Sequence, residues 1–236
     1  MARLISPPVG LRYKDYDFLS GPRAIGGASN TSIGNFTQTV SSPFGLWRIH
    51  YSFPPLRGTM FRRYRGWVSA LAGGANATRW QFCDWDTLSY VEAGIASALS
   101  GQNWSNGQTW SNGQQWQGSY PTVAVAQAAA VGDTTVYLAD SFWGHNLGVG
   151  DVIGFMPFHF GMYEITEVFA AGQYRIWPSL RVTLTTSTYA TLNPTLAMRI
   201  ESEDAAPVGR GTTHAEQLEI TMVEVLDYDV RSYFAD

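Results

Sequence analysis

The 236-residue chain has few of the residues that build covalent, metal-bound or membrane-spanning structures. Its one cysteine, Cys83, excludes an internal disulfide framework and gives no basis for a zinc cluster. The chain has no run of about 18 apolar residues, and its first residues lack the apolar core of a secretory signal. We therefore expect a soluble protein without a membrane span that is made in a cytoplasm.

Charged residues are also scarce, and lysine is almost absent. They make up 14% of the chain, and the 15 basic residues comprise fourteen arginines and one lysine. Residues 1–118 hold ten basic and five acidic residues, whereas the remainder holds five basic and fourteen acidic residues. This asymmetry fits either nucleic-acid binding by the basic half or oppositely charged surfaces that meet in an assembly. Arginine without lysine favours protein interfaces, because its planar guanidinium both pairs and stacks.

The first part of the chain is predicted to form a compact α+β unit. Alternating apolar and polar residues predict strands at 36–40 and 46–53, which the turn-like segment 41–45 joins as a hairpin. Apolar residues at helical spacing predict an amphipathic helix over 56–71, and a strand at 78–83 follows it. The apolar face of the helix comprises Leu56, Met60, Tyr64, Trp67, Val68 and Leu71.

The polar side of the predicted helix carries a cluster of arginines, namely Arg57, Arg62, Arg63 and Arg65. This cluster has the composition of a phosphate-binding site. It is equally typical of a helix side that faces solvent or a neighbouring protein, and we favour this second interpretation. The four arginines are therefore candidate subunit-interface residues.

Residues 101–118 form a repeat of six residues that places Trp104, Trp110 and Trp116 at equal intervals. An even period puts all three indoles on one face of an extended chain, whereas a helix would scatter them. We predict an extended arm. Indoles among amide side chains fit a sugar-binding surface, but we favour an arm that lies over a neighbouring subunit with each indole as an anchor.

From residue 120 onward, short β segments separated by turns predict a small β-barrel or sandwich. The strictly alternating segment 216–225 is predicted to return to the first sheet, which makes the barrel an insertion. The predicted segments of the barrel are 122–125, 135–138, 151–155, 162–165, 174–177, 183–184 and 196–200.

The sequence contains no motif that predicts catalysis, a metal or a cofactor. The histidines at 50, 145, 159 and 214 lack metal-ligand spacing. Asp84 and Asp86 have the spacing of a carboxylate pair on one strand face, although Asp side chains that cap a turn are the favoured interpretation. Cys83 follows Phe82 and is expected to be buried and unreactive. We therefore expect a protein that is not an enzyme.

Several of these segments recur in the same order in a known family. They are the strand and proline pair of 46–56, the Arg-Gly-Trp helix with the strand at 79–82, the Gly-Asp turns of 132–154, and the segments 174–181 and 194–200. Together they resemble the distal tail proteins, a class of minor tail protein, of bacteriophages with long non-contractile tails.

This resemblance implies a mainly β fold in two parts. The first is an α+β ring (belt) domain, comprising residues 1–119 and 206–236, with one amphipathic helix and the tryptophan arm at 101–118. The second is an inserted β-barrel domain at 120–205, OB- or galectin-like.

The resemblance also implies a structural role at the tail tip of the virion, after synthesis in the host cytoplasm. Such proteins form a ring, usually hexameric, that joins the tail tube protein to the tip or hub proteins and leaves a channel for DNA. We expect the arginines to face protein, because a lumen lined with arginine would trap the passing phosphates. The alternative is a carbohydrate-binding module or a receptor-binding accessory protein that uses the tryptophan repeat to contact a host glycan.

Overall fold

The computed structural model describes residues 3–20, 23–31, 37–42, 45–89, 91–93, 122–157, 159–207, 209 and 218–226. The chain divides into two compact units. The first unit comprises Met1–Phe82 and Thr195–Asp236, and the second comprises Cys83–Pro194.

The described residues are mainly β, as the sequence predicts, with one α-helix, α1, at Gly58–Ala70. In chain order the strands are β1 Leu4–Ile5, β2 Asp15–Phe18, β3 Arg23–Thr31, β4 Thr37–Ser42, β5 Arg48–Phe53, β6 Ala77–Gln81, β7 Val123–Ala124, β8 Thr135–Tyr137, β9 Val152–Met156, β10 Tyr163–Ala170, β11 Gln173–Trp177, β12 Tyr189–Thr191, β13 Thr195–Ile200 and β14 Leu218–Glu224.

The first unit is built on a six-stranded sheet with the strand order β1-β6-β13-β14-β5-β2. All neighbouring strands in this sheet are antiparallel except β1 and β6. Strand β14 pairs with both β5 and β13, so the prediction that the last strand returns to the first sheet is confirmed. Its alternation is also as predicted, because every second side chain is buried, namely those of Leu218, Ile220, Met222 and Glu224.

Helix α1 packs its aromatic side chains on this sheet. Phe61, Tyr64 and Trp67 are buried at a spacing of three residues. The Trp67 ring stacks on that of Trp80 in β6, with centroids 5.7 Å apart and planes 20° apart. The buried face therefore differs slightly from the predicted one, because Phe61 is buried whereas Met60 and Val68 are only half-buried.

The second unit is inserted in the chain between two strands that are neighbours in the first sheet. Strands β6 and β13 are antiparallel, and Gln81 lies directly opposite Thr195 in their register. The chain therefore leaves and rejoins the first unit at adjacent strand ends, where a hairpin turn would otherwise join them. Residues 83–194 occupy the place of that turn.

The second unit has a six-stranded antiparallel sheet with the strand order β7-β12-β9-β10-β11-β8. Trp143, Tyr163 and Tyr174 are fully buried in its core. The edge strands β7 and β8 have only two and three residues, and one isolated bridge, Val125 to Leu138, joins them. A single bridge is not a ladder of paired strands, so the sheet is not a closed barrel. The predicted barrel is wrong in this respect. The OB- or galectin-like assignment stays a prediction.

The predicted hairpin of 36–40 with 46–53 is wrong. Strand β4 pairs with β3, and the two form a separate two-stranded sheet. Both edges of β5 are already occupied, one by β2 and the other by β14. A strand has only two hydrogen-bonding edges, so β5 has none left for β4.

The unit boundaries also differ from the predicted 120–205. The segment 195–200, assigned from sequence to the inserted domain, is β13 of the first sheet. At the other boundary, the second unit begins at Cys83, and Leu88 and Ala93 pack in its core. The predicted strand at 183–184 is a single bridge between Leu184 and Ala129, and β12 was not predicted.

Candidate interaction surface

The outer side of α1 carries the arginine face, which we define as Arg57, Arg62, Arg63 and Arg65. All four side chains are exposed. Helix α1 contains no acidic residue, and none of the four arginines forms an ion pair with a described residue. The Arg62 guanidinium donates a hydrogen bond to Thr59 Oγ1 at 3.3 Å. Among the residues that the structure describes, the arginine face is therefore a cationic surface with no paired carboxylate.

The opposite side of α1 holds the helix in a fixed orientation. The indole Nε1 of Trp67 donates to Thr78 Oγ1 at 3.2 Å, and this hydroxyl donates to the Ile5 carbonyl oxygen at 2.9 Å. The Tyr64 ring packs against Phe53, with centroids 5.3 Å apart, and burial raises the pKa of Tyr64 above its ordinary value. Because aromatic packing fixes the helix, the arginine face has a defined position on the first unit.

The second unit carries the opposite charge. It contains eight acidic residues and two arginines, a formal charge of −6, whereas the first unit has thirteen basic and eleven acidic residues. One of its two arginines, Arg175, forms a 2.8 Å ion pair with Glu167, and its guanidinium lies 4.7 Å from the Phe169 ring centroid. The second unit is thus left with an excess of negative charge.

Part of this charge is concentrated in the acidic surface, which we define as Asp84, Asp86, Glu92 and Asp151. The backbone N–H of Asp86 donates to Asp84 Oδ1 at 3.0 Å, and that of Gly148 donates to Asp151 Oδ2 at 2.6 Å. Burial raises the pKa of Asp151, and the charges of Asp84 and Glu92 raise it further against the opposing Gly148 hydrogen bond. The side chain of Asn146 donates to the Glu92 carbonyl oxygen at 3.0 Å, so Glu92 lies beside the turn that carries Asp151.

The predicted turn role of Asp84 is confirmed, because its carboxylate caps the backbone of Asp86. Within the part of the chain that the structure describes, no group of three or more His, Cys, Asp or Glu side chains has a metal-binding arrangement.

The expected burial of Cys83 is wrong, because its side chain is exposed. Phe82 occupies the buried position, and successive side chains in an extended chain point to opposite sides. Cys83 therefore points outward.

The three described histidines lie apart and have separate partners. His50 lies 3.0 Å from Thr221 Oγ1, His145 lies 3.4 Å from Asp140, and His159 Nε2 lies 2.8 Å from Tyr163 Oη. Each of the three histidines therefore has a polar contact within its own unit. His214 lies outside the described residues.

The other candidate interface residues, Trp104, Trp110 and Trp116, also lie outside the described residues, with the whole repeat at 101–118. Their predicted role as anchors or as a sugar-binding surface stays a prediction.

The sequence predicts the arginine face but not the acidic surface. Glu92 and Asp151 are 59 positions apart, and only the fold brings them near Asp84. Composition alone indicates an acidic surface on this unit, because residues 83–194 hold eight acidic residues and only two basic ones.

No protein-family profile matches the chain, and a search of curated proteins finds no significant match. Among the described residues, no helix has the length and apolar character needed to cross a membrane.

Proposed function

We propose that this chain is a structural subunit of a bacteriophage tail, which assembles into a hexameric ring at the distal end of the tail tube. In this role it connects the tail tube protein to the tip or hub proteins and leaves a channel for DNA. The role is architectural and involves no catalysis.

The observation that carries the proposal is the insertion of one β unit into another. The first unit has one sheet and one helix, and the second unit is inserted in place of the turn between two neighbouring strands of that sheet. This two-part arrangement agrees with the belt and inserted domain that the sequence resemblance implies.

The charge distribution supports the same proposal. A ring of identical chains needs two different surfaces on each subunit that complement each other. The arginine face on the first unit and the negative charge of the second unit are a pair of that kind. Arginines that contact protein are also kept away from the DNA channel, where they would retard the passing phosphates.

The test is the mass and shape of the purified full-length protein. We expect light scattering to give about six times the 26.0 kDa chain mass, and negative-stain images to show closed rings with a central channel. A protein that stays monomeric at high concentration contradicts the proposal. If that monomer also binds glycans through residues 101–118, the carbohydrate-binding alternative replaces it.

A further inference from the structure

The arginine face on α1 is an exposed helix surface with a single sign of charge. We propose that the arginine face of one copy docks against the acidic surface of the next copy, in a head-to-tail contact repeated around the ring. This inference rests on the proposed ring function and names the surfaces that would meet.

The acidic surface has the properties of the matching partner. Neither Glu92 nor Asp151 forms an ion pair with a described residue. Of the two arginines in the same unit, Arg175 is engaged by Glu167, and Arg181 lies close enough to His159 to lower the pKa of that histidine. The unit therefore contains few cations of its own to neutralise this surface.

The alternative contact of like surfaces is unfavourable. A two-fold symmetric contact through α1 would bring arginines against arginines, and like charges in an interface repel each other. A head-to-tail contact instead pairs opposite charges at every interface. It is also the type of contact that closes a ring by rotation.

The residue type further favours carboxylates over nucleic acid. All four cations are arginines, whose rigid fork matches a carboxylate with two parallel hydrogen bonds. Nucleic-acid surfaces commonly add lysine, and the single lysine of the chain, Lys14, already pairs with Asp15 at 3.2 Å.

Charge reversal of the full-length protein tests the contact. One variant carries Arg62→Glu, Arg63→Glu and Arg65→Glu, and a second carries Asp86→Lys and Glu92→Lys. Each variant alone sets like charges against each other, so we expect ring assembly to need at least about 100-fold more protein than the wild type at low salt. For the wild type, raising the salt to 1 M should weaken assembly, because the screening length falls to about 3 Å.

Recombination of the variants shows whether the contact joins two chains. In an equimolar mixture of the two variants, every reversed helix meets a reversed acidic surface, so rings of alternating subunits should form again. A single chain that carries all five substitutions should also recover. If the chain with all five substitutions assembles again but the mixture does not, the contact lies within one chain and the inference is overturned.

Controls separate charge from folding. Glu92→Gln keeps an acceptor for the Ser89 backbone N–H and hydroxyl, which lie 2.9 and 2.7 Å from Glu92, and it shows the effect of losing one charge. Lys14→Glu reverses an exposed cation elsewhere and should leave assembly unchanged. Circular dichroism and thermal melting report whether each variant folds.

The remaining outcomes distinguish this inference from the proposed function. If the wild type forms no ring, the proposed function fails and this inference fails with it. If the wild type forms rings and the two variants assemble equally well, only this inference is overturned. It is also overturned if the triple arginine variant assembles normally but loses retention on DNA, since the arginine face would then be a nucleic-acid surface.

Discussion

The hydroxyl of Thr78 connects three elements of the first unit. It accepts a hydrogen bond from the Trp67 indole in α1 and donates one to the Ile5 carbonyl oxygen in β1. Thr78 itself lies in β6 and is fully buried. A buried polar group without a hydrogen-bond partner destabilises the folded state. The Thr78 hydroxyl supplies a partner to the Trp67 indole N–H and to the Ile5 carbonyl oxygen, and it is itself satisfied by both.

We therefore expect Thr78→Val to destabilise the first unit. Valine has nearly the same shape but leaves the Trp67 N–H and the Ile5 carbonyl oxygen without their partner, at a cost of about 1–3 kcal/mol in the free energy of unfolding. Urea unfolding followed by tryptophan fluorescence measures this change. Thr78→Ser keeps the hydroxyl and serves as the matched control. Equal stability of the valine variant and the wild type would show that the hydroxyl contributes nothing.

His159 is a buried titratable group in the second unit. Its ring stacks on Tyr163 with planes 9° apart, and its Nδ1 atom is buried with no hydrogen-bond partner in the described part of the chain. Burial, helped by the charge of Arg181, lowers the pKa of His159 to about 4. The native state therefore holds this histidine neutral.

Acidification should destabilise the second unit through His159. Between pH 6.5 and pH 4 the unfolded chain binds a proton that the folded chain does not, so the free energy of unfolding falls as the pH falls. The loss is complete below about pH 4 and amounts to about 3 kcal/mol. Unfolding curves of the wild type and His159→Phe across this range measure it. The stability difference between the two should change with pH over this window, and a constant difference would contradict the prediction.

Among the elements, strand β14 has a register that its alternating side-chain pattern determines. It lies between β5 and β13, so it contributes two ladders to the centre of the sheet. Ile220 is fully buried at its middle, whereas the adjacent Glu219 is exposed. A shift of one residue in register would exchange these two environments.

Ile220→Ala should destabilise the protein far more than a change at the neighbouring position. Removal of three buried carbons leaves a cavity and is expected to cost about 2–5 kcal/mol. Glu219→Gln, on the solvent side of the same strand, should stay within about 0.5 kcal/mol. Chemical denaturation of both variants tests the assigned register. Similar losses at the two positions would contradict it.

The elements that were predictable from sequence are those with a strong local pattern. Helix α1 has an apolar period that fits a helix, and β14 alternates without interruption. The two-residue strand β1 and the position of β13 have no such pattern, because distant pairing partners determine them. The predicted pairing of β5 with the strand at 36–40 is wrong for the same reason. Local alternation indicates a strand, but it does not indicate which strands occupy its two edges.

The candidate site was predictable to a similar extent. The arginine face follows from helical spacing around four exposed positions, and the sequence displays it directly. The acidic surface requires the fold, because Glu92 and Asp151 approach each other only through the packing of the second unit.

For the whole molecule, the fold sharpens the charge asymmetry of the sequence. Division at residue 118 gives charges of +5 and −9, but this division cuts through the second unit. The actual units carry +2 and −6, so the negative charge is concentrated in the 112 residues of 83–194. The asymmetry is thus a property of the inserted unit and not of a chain half.

The position of the insertion predicts that the first unit folds without the second. Gln81 and Thr195 face each other in the β6–β13 ladder, so Asn-Gly-Thr in place of residues 83–194 supplies a two-residue hairpin turn and a partner for Phe82. We expect this shortened chain to keep the six-stranded sheet and to unfold in one cooperative transition. Thermal melting followed by circular dichroism measures whether unfolding is cooperative, and the dispersion of the amide NMR spectrum reports whether the sheet forms. Residues 83–194 expressed alone should fold on their own core of buried side chains. A shortened chain that lacks a cooperative transition would mean that the first sheet needs the inserted unit for its stability.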